Sequence, residues 1–81
     1  MSTRKLNLIE RLNQEIRDLD DKAHFKIKMN GEGGKFARFE MKMKDLKPLM
    51  EQGMNPGILI YSQMSKQIGK IRDYELKVLK K

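Results

Sequence analysis

The stretch that decides the fold is FKIKMNGEGGKFARFEMKMK, residues 25–44, in which apolar and charged residues alternate on both sides of a glycine-rich centre. Alternation with a period of two is typical of a β-strand that buries one face. Glycine and asparagine in NGEGG tolerate the positive φ angles of tight turns. The stretch therefore predicts an antiparallel hairpin with strands at residues 24–30 and 35–44.

The register of this hairpin follows because directly opposed side chains share a face of the sheet. On the buried face the predicted pairs are Phe25 with Met41, Ile27 with Phe39, and Met29 with Ala37. On the other face they are His24 with Lys42, Lys26 with Glu40, and Lys28 with Arg38. Like charges directly opposed cost a few tenths of a kcal/mol or more, so this outward face favours a bound anion.

Helices are predicted on both sides of the hairpin. Leucines and isoleucines recur at three- and four-residue steps before it, which predicts an amphipathic helix at residues 3–22. After the hairpin, Asp45 is the expected cap of a short helix at residues 46–52. A second cap is expected at Asn55, followed by Pro56 at the first helical position.

The C-terminal part is predicted to be a long helix, beginning at residue 56 or at residue 62 and ending at residue 79. The open point is the apolar run ILIY, residues 58–61, which fits either this helix or a third strand. Within the helix, Glu75 is an odd polar residue on the apolar arc. Gly69 is interpreted as a point of close approach to another helix or subunit.

These elements predict a small α+β fold, a single domain over residues 1–81. The N-terminal helix, the short helix and the long C-terminal helix are expected to pack on one face of the antiparallel sheet.

Composition excludes several classes of function. The chain has no cysteine and one histidine, His24, so neither a nucleophile with its base nor a thiolate or histidine metal site can be assembled. We therefore expect no enzymatic activity, no metal and no cofactor. The absence of cysteine and of a long apolar run favours a soluble cytoplasmic protein with no membrane partner.

The net charge of +7 is concentrated in two blocks, residues 24–44 and 63–81. In the first block, the outward side of the hairpin carries four cations and one aromatic ring: Lys26, Lys28, Phe36, Arg38 and Lys42. In the second block, the predicted helix places Lys66, Lys70, Tyr74 and Lys77 on one arc. Lysines and arginines neutralise phosphates, while an aromatic ring stacks on a base.

The sequence therefore favours nucleic-acid binding, with RNA preferred over DNA, through phosphate contacts of low sequence specificity. The alternative is a small regulatory or inhibitory protein of the phage or plasmid type, whose basic surface blocks an acidic protein such as a toxin or a nucleic-acid-processing enzyme. A homodimer is compatible with the small core.

Overall fold

The first element of the computed structural model, which describes residues 3–80, is helix α1, Thr3–Arg17. It is shorter than the predicted helix at residues 3–22. The reason lies in the following turn, where the Asp20 carboxylate accepts a hydrogen bond of 2.8 Å from the Lys22 backbone N–H. Such a local side-chain contact offers the backbone an alternative to further helix.

The predicted hairpin is confirmed, but its second strand, predicted at residues 35–44, ends at Lys42. Strand β1 spans His24–Gly31 and strand β2 spans Phe36–Lys42, joined by a 3-10 turn at Glu32–Gly34. Gly33 and Gly34 have φ angles of +68° and +80°, which explains why glycines occupy the turn. The two strands are antiparallel, and their register agrees with every predicted pair.

Helix α2, Met43–Glu51, follows β2 without a loop. The predicted start at residue 46 is therefore wrong, and Asp45 lies in the first turn of the helix rather than at its cap. Met43 accounts for the early start, because its side chain is buried and its N–H donates to the Ala23 carbonyl at 2.9 Å.

Helix α3, Pro56–Ile68, begins at the earlier of the two predicted starts, and a start at residue 62 is wrong. The Asn55 side-chain oxygen accepts a hydrogen bond of 3.0 Å from the Ile58 N–H, which confirms the cap. Residues 58–61 are consequently helical, and the alternative of a strand there is wrong.

The predicted long C-terminal helix, residues 56–79 or 62–79, is wrong beyond Ile68. Gly69, with a φ angle of +77°, ends α3 and donates its N–H to the Ser65 carbonyl at 2.8 Å. The chain then becomes strand β3, Ile71–Lys80, which pairs antiparallel with β1.

The sheet has the strand order β2-β1-β3, so β1 is central and β3 occupies an edge. The elements follow the chain as α1-β1-β2-α2-α3-β3. The prediction of a small α+β domain with an antiparallel sheet is thus confirmed, with three strands and three helices within residues 3–80.

The core lies between one face of the sheet and the helices. Its largest fully buried side chains are Leu12 and Ile16 of α1, Phe25, Ile27 and Met29 of β1, Met43 and Leu46 of α2, and Pro56, Ile60 and Met64 of α3. Phe39, Met41 and Leu76 pack against this cluster and are partly buried. The helical layer therefore covers one face of the sheet, as is usual for antiparallel sheets.

Close approach between helices occurs at Gly57, whereas Gly69 was expected to have that role. A Cβ atom at Gly57 would lie 2.5 Å from the Ile9 carbonyl oxygen and 3.0 Å from Asn13 Cβ. A Cβ atom at Gly69 would meet nothing within 4 Å. Helices α1 and α3 thus come into contact because residue 57 has no side chain.

Candidate nucleic-acid interface

The face of the sheet that points away from the helices is its outer face. Strand alternation sets which side chains it carries, because inner positions of β1 are buried and outer positions are only partly covered. The outer face consists of His24, Lys26, Lys28 and Asn30 of β1, Phe36, Arg38, Glu40 and Lys42 of β2, and Asp73, Glu75 and Lys77 of β3.

Of the predicted site residues, six lie together on the outer face: Lys26, Lys28, Phe36, Arg38, Lys42 and Lys77. The first five come from the hairpin, as predicted. Lys77 lies on strand β3, directly opposite Lys26, and not on a helix as predicted. Five cations therefore share this face with three carboxylates, of which Asp73 also lies 3.5 Å from Arg11 of α1, and the outer face has a positive excess.

Phe36 is the aromatic centre of this surface. Its side chain is 50% exposed, with Lys28 Nζ at 5.1 Å and Arg38 Cζ at 5.3 Å from the ring centroid. At these distances both cations are attracted by the ring, each by about 0.5–1 kcal/mol at an exposed site. The ring thereby stabilises two like charges that are neighbours on the sheet.

The structure also explains how the opposed cations Lys28 and Arg38 are tolerated without a ligand. Besides the contact with Phe36, Lys28 has Glu75 of β3 opposite it on its other side. Opposite charges across a ladder contribute roughly 0.2–1 kcal/mol. The repulsion expected from the hairpin alone is therefore partly offset by a carboxylate on the third strand.

Lys26 has a less favourable environment than the sequence predicted. Its cross-strand neighbour Glu40 turns to His24, with 2.7 Å between His24 Nε2 and Glu40 Oε2. On its other side Lys26 faces Lys77. Within residues 3–80, neither lysine has a carboxylate at ion-pair distance. Two opposed and unpaired lysines make this the position where an anion relieves the most repulsion.

The predicted second surface, Lys66, Lys70, Tyr74 and Lys77, does not form, because the helix that would have aligned it ends at Ile68. Lys66 lies exposed in the last turn of α3, and Lys70 is in the turn before β3. The backbone of Lys70 approaches Gly31, where an added Cβ atom would lie 3.0 Å from the Lys70 carbonyl oxygen.

Tyr74 points into the helical layer and is 6% exposed. Its hydroxyl donates a hydrogen bond to the Glu15 carboxylate and accepts one of 3.2 Å from Arg11 Nε. The Arg11 guanidinium also lies over the ring, 4.8 Å from its centroid. Tyr74 thus ties β3 to α1, and its ring cannot stack on a base.

Sequence reasoning missed the contribution of β3 to the outer face, namely Asp73, Glu75 and Lys77. The signal was present in DYELKV, residues 73–78, where charged and apolar residues alternate with a period of two. Glu75, a polar residue on the apolar arc of the predicted helix, was a further sign of this alternation.

Other kinds of site find no support in residues 3–80. No group of histidine and carboxylate side chains there could hold a metal ion. No helix among those residues is long and apolar enough to span a bilayer.

Comparison of the chain with protein-family models, with curated proteins and with solved structures gave no significant match.

Proposed function

We propose that this protein is a cytoplasmic, non-enzymatic nucleic-acid-binding protein that binds single-stranded RNA in preference to DNA on the outer face of its sheet. Binding relies mainly on phosphate contacts and has low sequence specificity. The observation that carries the proposal is the half-exposed Phe36 ring with the neighbouring cations Lys28 and Arg38 close to it, on a sheet face that no helix of residues 3–80 covers.

The chemistry of this cluster suits a single strand. An exposed ring on a sheet offers a platform for an unpaired base, and stacking contributes about 1–3 kcal/mol per base. The two cations beside the ring are within reach of the phosphates that flank a stacked base. A duplex offers no free base face, so the same cluster favours single strands.

The remaining lysines extend the phosphate contacts. Lys26 and Lys77 lie one row of the sheet beyond Lys28, and Lys42 lies at the far end of β2. Directly opposed residues of neighbouring strands are about 5 Å apart. A nucleic-acid backbone crossing the sheet would therefore pass from Phe36 to the opposed lysines Lys26 and Lys77 without leaving the basic surface.

The preference for RNA rests on the sheet-borne aromatic residue, a feature that RNA-binding sheets use, and on a sequence without a recognition-helix motif for a DNA groove. An acidic protein is the alternative partner for the same face.

The salt dependence of binding tests the proposal. Five phosphate contacts to a single strand give a slope of log K against log salt of about −3.5. Raising the salt from about 50 to about 200 mM should then weaken binding by about 100-fold. Fluorescence anisotropy with a labelled RNA of mixed sequence, and with the same sequence as single-stranded and as duplex DNA, measures this directly.

Two variants locate the contacts. Phe36→Ala should weaken RNA binding by about 5- to 150-fold through the lost stack. Lys28→Gln with Arg38→Gln should reduce the magnitude of the salt slope by about 1.4, with folding stability within about 1 kcal/mol of the parent. The charge-matched control is Lys22→Gln with Lys44→Gln, which changes exposed cations outside the sheet.

The outcomes separate the candidate functions. No binding to any of the three nucleic acids at low salt, or binding that salt does not change, contradicts the proposal and leaves an acidic protein as the partner class. Equal or tighter binding of single-stranded DNA contradicts the RNA preference alone.

A further inference from the structure

Strand β3 forms a free edge of the sheet. It spans ten residues, Ile71–Lys80, and among the described residues 3–80 it pairs only with β1. Val78 and Leu79 on this strand are 36% and 42% exposed. An edge strand presents unpaired backbone N–H and C=O groups that can pair with another strand. A long edge with exposed apolar residues is therefore suited to strand addition.

The sequence of β3 is complementary to itself in one antiparallel register. If Leu76 lies on a two-fold axis, Glu75 faces Lys77 of a second copy, and Lys77 faces Glu75 of that copy. Tyr74 then lies opposite Val78 of the second copy, so the inner apolar positions also meet. Shifting the axis to Glu75 or to Lys77 would place like charges on the axis, which is destabilising.

We propose that the protein forms a homodimer in which β3 pairs antiparallel with β3 of a second copy, with the two-fold axis at Leu76. The two sheets join into one continuous sheet in the order β2-β1-β3-β3-β1-β2. Because directly opposed residues share a face, the two outer faces lie on the same side. Lys77 belongs both to this interface and to the proposed phosphate surface, so the dimerisation tests below are made without nucleic acid.

The opposite edge, β2, is less suited to this pairing. Arg38 and Glu40 flank Phe39 in the same self-complementary way, but both are already engaged within the chain. Glu40 is bound to His24 at 2.7 Å, and Arg38 lies over Phe36. Within residues 3–80, Glu75 and Lys77 have no ion pair. Glu75 faces Lys28 across the sheet without forming an ion pair, so both Glu75 and Lys77 can still pair with a second copy.

Charge reversal tests the register. Glu75→Lys and Lys77→Glu each replace both intermolecular pairs by like charges and should raise the dimer dissociation constant at least about tenfold. A mixture of the two variants restores two opposite-charge pairs, one with the native sign and one reversed, and should form a heterodimer. Sedimentation velocity over a concentration series measures association, and circular dichroism checks that each variant is folded.

Crosslinking provides a second test that leaves the charges unchanged. The chain has no cysteine, so a single Leu76→Cys places two thiols opposite each other at the axis. Oxidation should give a disulfide dimer at least about ten times faster than for Phe39→Cys, the matched control at the centre of β2.

Three results would overturn the proposal. The first is a wild-type protein that stays monomeric up to about 1 mM. The second is a pair of charge-reversal variants that dimerise as well alone as in the mixture. The third is a Leu76→Cys variant that crosslinks no faster than Phe39→Cys.

Discussion

Replacing Gly57 by alanine should destabilise the fold, because the added methyl group has no space between α1 and α3. Its Cβ would lie 2.5 Å from the Ile9 carbonyl oxygen, about 0.9 Å short of ordinary contact, and that oxygen belongs to the backbone. Overpacking of this kind costs about 1–3 kcal/mol. The higher helix propensity of alanine relative to glycine offsets up to about 1 kcal/mol of this cost. We expect a net loss of about 1–2 kcal/mol.

Thermal unfolding followed by circular dichroism measures this loss. For a domain of this size, each kcal/mol lowers Tm by about 4–8 °C. The control is Ser62→Ala, an exposed position on the same helix, which should stay within about 0.5 kcal/mol. A Gly57→Ala protein as stable as the parent would refute the packing argument. The RNA affinity of the folded variant should be unchanged, because the substitution lies in the helical layer.

Three further substitutions test other features. Gly69→Ala should cost about 1–2 kcal/mol in chemical unfolding, since its φ of +77° suits only glycine, and unchanged stability would contradict its role in ending α3. Tyr74→Phe should cost about 1 kcal/mol, because its hydroxyl bonds to Glu15 and Arg11 are lost, and a selective fall in RNA affinity at unchanged stability would contradict its buried position. Lys77→Gln should reduce the magnitude of the salt slope of RNA binding by about 0.7, and an unchanged slope would remove Lys77 from the interface.

The hairpin was predictable because its constraints are local. Strands His24–Gly31 and Phe36–Lys42 are neighbours in sequence, and the glycines between them allow the positive φ angles that a short turn needs. Once Phe25 and Ile27 are assigned to the buried face, the opposed residues follow, since a shift by one residue would turn every side chain over. The same locality made the start of α3 predictable from Asn55 and Pro56.

Strand β3 was harder to predict from the sequence, because its inward-facing apolar residues switch from odd to even positions along the strand. Gly31 pairs with Ile71 and Asn30 pairs with Asp73, so β3 carries one extra residue, Arg72, at this point. Because of this irregularity, Ile71 and Val78 lie on the same inner face although they are seven residues apart. A spacing of seven residues also fits one face of a helix. The long-range pairing with β1 decides that this segment is a strand and not a helix.

The candidate site was predictable to the extent that it belongs to the hairpin. Lys28, Phe36 and Arg38 come together as expected because the register brings them together. The neighbours of Lys26 were not predictable, because Glu40 turns to His24 and Lys77 arrives from a strand that was interpreted as helix.

The most direct test of the proposed site is a nuclear magnetic resonance titration of nitrogen-15-labelled protein with unlabelled single-stranded RNA. We expect amide shift changes to concentrate at Lys28, Phe36 and Arg38, to extend to Lys77, and to shrink on addition of salt. Changes concentrated on α1 and α3, with β1 and β2 unaffected, would contradict binding on the outer face.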